Sequence, residues 1–107
     1  MAEESIILSV KKYLRELLQI GIPVRFGVIF GSHARGDEHN WSDIDVLVVS
    51  NTYDQSCCRE DINVLWRTAA RTDNRIEPIP VGTNRWETDD ESTILEIARR
   101  EGIRILV

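Results

Sequence analysis

The chain has 107 residues, 42% of them apolar, and 13 Lys and Arg against 18 Asp and Glu leave a formal charge of -5. That length suits one small domain over residues 1–107 and leaves no room for two lobes, and no apolar run approaches the roughly 20 residues needed to span a bilayer. Residues 1 to 54 carry 5 basic and 8 acidic side chains and residues 55 to 107 carry 8 and 10, so there is no basic arm of the kind that supports tight non-specific nucleic-acid binding.

The opening Met1-Ala2-Glu3-Glu4 is acidic where a secretory signal is basic, which makes the cytoplasm the expected location. From Glu3 to Ile20, Ile6, Ile7, Val10, Tyr13, Leu14, Leu17 and Leu18 recur every three or four residues, one stripe of an amphipathic helix. Gly21 and Pro23 end it. Val24 to Phe30 is a short run of β-formers and predicts a strand. Gly31 to Trp41 is polar and glycine-bounded, a loop with room for a helical turn. Ile44 to Ser50, nearly all Val, Leu and Ile apart from one aspartate, predicts a second strand.

Asn51 to Gln55 reads as a turn, with Asp54 or Ser56 as N-cap of a helix that runs to Arg71 and buries Cys58, Ile62, Leu65, Trp66 and Ala69. Cys57 and Cys58 are adjacent and read as reduced thiols, since neighbouring cysteines seldom bridge and two alone make no zinc site. Arg75 to Val81 predicts a third strand that Pro78 and Pro80 confine to a sheet edge or a strand end. Thr83 to Asp90 reads as a polar loop holding Trp86. Glu91 to Arg100 predicts a helix with Ile94, Leu95, Ile97 and Ala98 inward, ended by Gly102. Ile103 to Val107 closes the chain as a short strand. Strands and helices in this order predict an α+β fold, a small mixed sheet of three to four strands with flanking helices.

Chemistry concentrates in Gly31-Ser32-His33-Ala34-Arg35-Gly36 and, five residues on, Ser42-Asp43-Ile44-Asp45. Each half alone is common. Joined, eight specified positions at fixed spacing, each expected at roughly 5 to 10% by composition, do not arise by accident. Residues two apart on a strand share a face, so Asp43 and Asp45 project together with Cα atoms about 7 Å apart. Two carboxylates so placed can converge on a hard cation such as magnesium, whose remaining positions go to water and substrate phosphates. An unpaired carboxylate in an apolar strand is otherwise costly. Gly31 and Ser32, in the turn after a strand, offer close backbone approach, N–H groups and a hydroxyl to phosphate oxygens. Arg35 reaches the same anion or pairs with Asp37 or Asp43. His33 and His39 read as polar loop residues, and Trp41 as an anchor of the loop, with base stacking as the alternative.

This combination resembles the nucleotidyltransferase superfamily related to DNA polymerase β, whose signature is Gly-Ser, often Ala-Arg-Gly, then Asp-x-Asp or Asp-x-Glu at the start of a strand. Its minimal nucleotidyltransferase branch is the closest in pattern, and Glu96 to Ile103 looks like the helix-glycine-strand ending common there. The resemblance implies a third metal carboxylate on a later strand, for which Glu77 is the choice, with a surface pairing to Arg75 as the alternative. It implies two magnesium ions at Asp43, Asp45 and Glu77, and ATP phosphates at Gly31, Ser32 and Arg35. The implied reaction is transfer of AMP from ATP to an acceptor hydroxyl.

Larger members carry a helical domain that grips the acceptor. Minimal members are commonly paired with a helical HEPN toxin, as its antitoxin, and some adenylylate a tyrosine of that toxin. The expected partner is therefore a HEPN-type protein in trans. Two other readings are a module that masks its partner by contact alone and a homodimeric nucleotidyltransferase acting on a small molecule.

Overall fold

The computed structural model describes residues 4–31, 43–54, 59–89 and 91–107. The elements run α1 (Glu4–Gln19), β1 (Val24–Phe30), β2 (Ile44–Ser50), a 3-10 turn (Asn51–Tyr53), α2 (Arg59–Thr72), β3 (Ile76–Val81), α3 (Thr83–Thr88), α4 (Thr93–Glu101) and β4 (Ile103–Leu106). The strands form one mixed sheet in the order β3-β2-β1-β4. Strand β1 lies antiparallel to β2 and β4, while β3 runs parallel to β2, the two joined through α2. This is the α+β architecture with a four-stranded mixed sheet and flanking helices.

Side-chain alternation sorts each strand onto two faces. One face carries Ile44, Val46 and Val48 of β2, Ile76 of β3 and Ile105 of β4 into a core with Ile6, Val10, Tyr13, Leu14 and Leu17 of α1 and Leu65 and Ala69 of α2. The other carries Phe26, Val28, Leu47, Val49 and Val81 against Trp86 of α3 and Leu95 and Ala98 of α4. The near-continuous burial of β2 follows from helices covering both faces. Tyr13 enters the first core completely and donates from its hydroxyl to the Leu65 carbonyl at 2.9 Å, tying α1 to α2. That bond satisfies a polar group whose proton burial holds well above the usual phenol range.

Helix α1 ends as its sequence dictates. Gly21 takes φ +99°, its N–H bonds the Leu18 carbonyl at 3.1 Å, and the Ile22 N–H bonds the Leu17 carbonyl at 3.0 Å. This pair of bonds is a Schellman cap, which needs the left-handed conformation glycine adopts at least cost.

Strand β3 is a sheet edge, as its prolines require. The Ile44 N–H bonds the Arg75 carbonyl at 2.8 Å. A strand residue directs its N–H and C=O to the same side, so residues 75, 77 and 79 face β2. Pro78 and Pro80 then fall on the outer edge, where a missing N–H breaks no ladder bond.

Three expectations are corrected. Trp66 and Ile62 are not core residues: they are 46% and 37% exposed. Leu65, Thr68 and Ala69 define the buried stripe of α2, and Trp66 sits a further 100° around the helix from Leu65. Ile94 is likewise outward, with α4 burying Leu95 and Ala98 instead. Residues 83 to 88 are not a loop but the helix α3, and Trp86 within it is only 7% exposed, edge-on to Phe26 with ring centroids 5.5 Å apart.

Six residues are too few to show a helical period, and what holds α3 comes from elsewhere in the chain. The Asp54 carboxylate accepts from the Asn84 N–H at 2.8 Å, serving the start of α3. Arg99 of α4 donates to the Trp86 and Arg85 carbonyls at the other end and lies 5.4 Å from the Trp86 ring centroid. Both ends of a helix that could not stand alone are thereby satisfied.

Candidate active site

Three strand ends meet where β1 finishes and β2 and β3 begin. Phe30, the last residue of β1, is the register partner of Asp45 in β2, and Asp45 is the register partner of Glu77 in β3. Side chains at directly opposed positions lie on the same face of a sheet, and Asp43, two residues before Asp45, shares that face. The antiparallel pairing of β1 and β2 and the parallel pairing of β2 and β3 thus bring Asp43, Asp45 and Glu77 to one corner, on the face that carries Leu47, Val49 and Val81 farther along.

The cluster is electrostatically costly. Glu77 lies within hydrogen-bonding reach of both aspartates, and its carboxyl is held above the usual glutamate range. Burial is the largest cause, followed by the negative charge and hydrogen bond of Asp43 and then those of Asp45. Asp43 is exposed and Asp45 and Glu77 are half-buried, so an ion can reach all three from solvent.

Nearby, Arg75 is clasped by Asp73. Its Nε and one terminal nitrogen donate to the two Asp73 oxygens at 3.0 and 2.8 Å, and its backbone N–H donates to the same carboxylate at 3.0 Å. The guanidinium holds the Asp73 carboxyl below the usual range, opposed by burial and assisted by the Arg75 backbone and by Ser9 of α1. The clasp organises the turn into β3 and so fixes where Glu77 emerges.

Gly31 follows Phe30 with φ +80°, a conformation that favours glycine. A Cβ placed on it stands 2.6 Å from Asp45 Oδ2. The glycine backbone therefore packs directly on the carboxylate group. Ser32 and Arg35, together with His33, Ala34, Gly36, His39, Trp41 and Ser42, lie outside the described residues, as do Cys57 and Cys58. Phe30 and Ile79 have no chemical signature in the sequence, yet both sit half-buried on the same face, packed against the second core beside the carboxylates.

Among the described residues, Asp43, Asp45 and Glu77 included, no three His, Cys, Asp or Glu side chains stand close enough together to hold a metal ion as a group. The donor set nonetheless suits magnesium, which binds through one or two carboxylates and keeps the rest of its shell for water and phosphate. Hard carboxylate oxygens also relieve their mutual repulsion on a cation.

Residues 8–96 match the family model of the nucleotidyltransferase domain, and the chain belongs to that family. Among solved structures, the fold is similar to that of a Sulfolobus solfataricus protein assigned to the nucleotidyltransferases, at 19% identity over 92% of this chain and 77% of that one, with a TM-score of 0.62. It is similar to a chain of a toxin-antitoxin complex solved with AMP-PNP, at 22% identity, 88% and 70% coverage and a TM-score of 0.59. A third similar chain belongs to the Shewanella oneidensis complex of a tri-AMPylated HEPN toxin with MNT antitoxin, at 20% identity, 92% and 69% coverage and a TM-score of 0.55. At such identities the shared feature is the fold. No curated protein matches this sequence. Among the described residues no helix is long and apolar enough to cross a membrane.

Proposed function

We propose that the chain is a metal-dependent adenylyltransferase that moves AMP from ATP to an acceptor hydroxyl, a tyrosine of a helical HEPN-type toxin for which it is the antitoxin. The observation that carries this reading is the register pairing of Asp45 with Glu77, with Asp43 on the same face, in a family whose chemistry is nucleotidyl transfer. The solved complexes of similar folds, one holding AMP-PNP and one an AMPylated toxin, support the choice of acceptor and nucleotide.

Asp43, Asp45 and Glu77 would hold two magnesium ions, which neutralise charge on the triphosphate and on the attacking and leaving oxygens when bound. Gly31, Ser32 and Arg35 hold the β- and γ-phosphates, the glycine by close backbone approach, the serine by its hydroxyl and the arginine by charge. The acceptor oxygen bonds to the α-phosphorus, the bond to the bridging oxygen of pyrophosphate breaks, and Glu77 takes the hydroxyl proton. Positioning and electrostatics supply the rate, and no side chain becomes a covalent nucleophile.

The test is to incubate the purified chain with magnesium, ATP and a candidate HEPN-type protein, then weigh that protein intact. A gain of one or more AMP units that disappears with Asp43→Asn supports the reading. A tight complex without mass gain supports masking by contact, and mass gain on a small molecule alone supports the homodimeric enzyme.

A further inference from the structure

We propose that Gly31 is a positioning residue for the Asp45 carboxylate: the side chain that glycine lacks is the space in which Asp45 Oδ2 sits. Phe30 and Asp45 form the last register pair between β1 and β2, so Gly31, the residue after β1, turns over the Asp45 side chain. A Cβ at position 31 would stand 2.6 Å from Asp45 Oδ2, 3.6 Å from its carboxyl carbon and 3.8 Å from its Cβ. Real Cβ atoms essentially never stand under 3.0 Å from a neighbour, so a side chain here forces a shift, and the free end of the Asp45 side chain is what yields most readily.

The comparison within the chain is Gly21. It too has a positive φ, +99°, but a Cβ added there meets nothing within 4 Å. Gly21 answers a backbone need alone, whereas Gly31 answers a backbone need and a contact. The contact matters because Asp45 is the register partner of Glu77 and lies within its hydrogen-bonding reach, so a carboxylate pushed aside by one methyl group changes the spacing of the whole cluster. The consequence for metal binding rests on the reading of Asp45 as a ligand; the contact itself does not.

The experiment is a stability cycle joined to a metal titration. Gly31→Ala and Gly21→Ala are each made in the native chain and in an Asp45→Ala background, and unfolding midpoints are measured in urea. Gly31→Ala is expected to lower the midpoint more than Gly21→Ala in the native chain and by the same amount when Asp45 is absent. An equal cost of Gly31→Ala with and without Asp45 overturns the proposal. Should Gly31→Ala fail to fold, recovery of folding in Gly31→Ala, Asp45→Ala supports the contact and its absence overturns it.

Manganese binding, followed by electron paramagnetic resonance of the free ion, supplies the second readout. Gly31→Ala is expected to weaken it by about tenfold or more, and Gly21→Ala to leave it unchanged. Equal affinity in all three folded proteins overturns the positioning role. A native chain that binds no manganese removes the ligand reading instead, and the urea cycle still decides the contact.

Discussion

Asp45 and Glu77 are direct register partners across two parallel strands, one at the start of β2 and the other at the start of the edge strand β3, 32 residues on in the chain. Nothing in their immediate sequence links them. The parallel register of β2 and β3 sets a glutamate beside an aspartate on the same face, with Asp43 two residues before that aspartate.

Asp45→Asn is expected to remove metal-dependent ATP binding while leaving the far-UV circular dichroism spectrum unchanged. If the proposed reaction is measured directly, the rate falls by about a hundredfold or more. Isothermal titration with magnesium and ATP checks the binding, and an unfolded variant would assign Asp45 a structural role instead.

Glu77→Gln is expected to stabilise the metal-free protein at neutral pH. The Glu77 carboxyl is raised in the folded chain, so the folded state binds the proton more tightly than the unfolded one. Its stabilising share is complete below the ordinary glutamate range and is lost as pH rises through the raised folded value. Thermal midpoints of the metal-free native chain therefore drop across that window relative to Glu77→Gln, and magnesium narrows the gap.

The Asp73–Arg75 clasp carries the opposite sign. Asp73 is lowered, chiefly by its hydrogen bonds from the Arg75 side chain. Its contribution is present above the ordinary aspartate range and is lost as pH falls through the depressed folded value. Asp73→Ala is expected to cost about 1–2 kcal/mol at pH 7, with the difference from the native chain shrinking in acid, as read from urea unfolding at both pH values.

Two of the three tryptophans, Trp66 and Trp86, separate by burial. Trp86 at 7% exposure packs on Phe26 and receives Arg99, so Trp86→Ala is expected to destabilise by about 3–5 kcal/mol. Trp66 at 46% exposure should cost under about 1 kcal/mol when changed to alanine. Denaturant midpoints of the two variants check the contrast.

Much of this molecule was legible from the chain alone. Helix α1, strands β1 and β2 and the glycine that ends α1 follow from periodicity and from glycine's backbone freedom, because each is determined by neighbours a few residues away. The prolines of β3 announced an edge strand for the same local reason. The pair Asp43 and Asp45 was visible because two-residue spacing on a strand is itself a spatial statement.

Other features were decided by the tertiary structure. The partnership of Glu77 with Asp45 needed the parallel register of β2 and β3, which no local pattern encodes. Helix α3 needed Asp54 at one end and Arg99 at the other, and Trp86 needed Phe26 as its neighbour. Trp66 was turned outward because a helix face is chosen by what it packs against, not by hydrophobicity residue by residue. The sequence by itself determined which side chains and local conformations were available; long-range pairing determined which of them meet, because burial and strand register are properties of the assembled sheet and not of any segment within it.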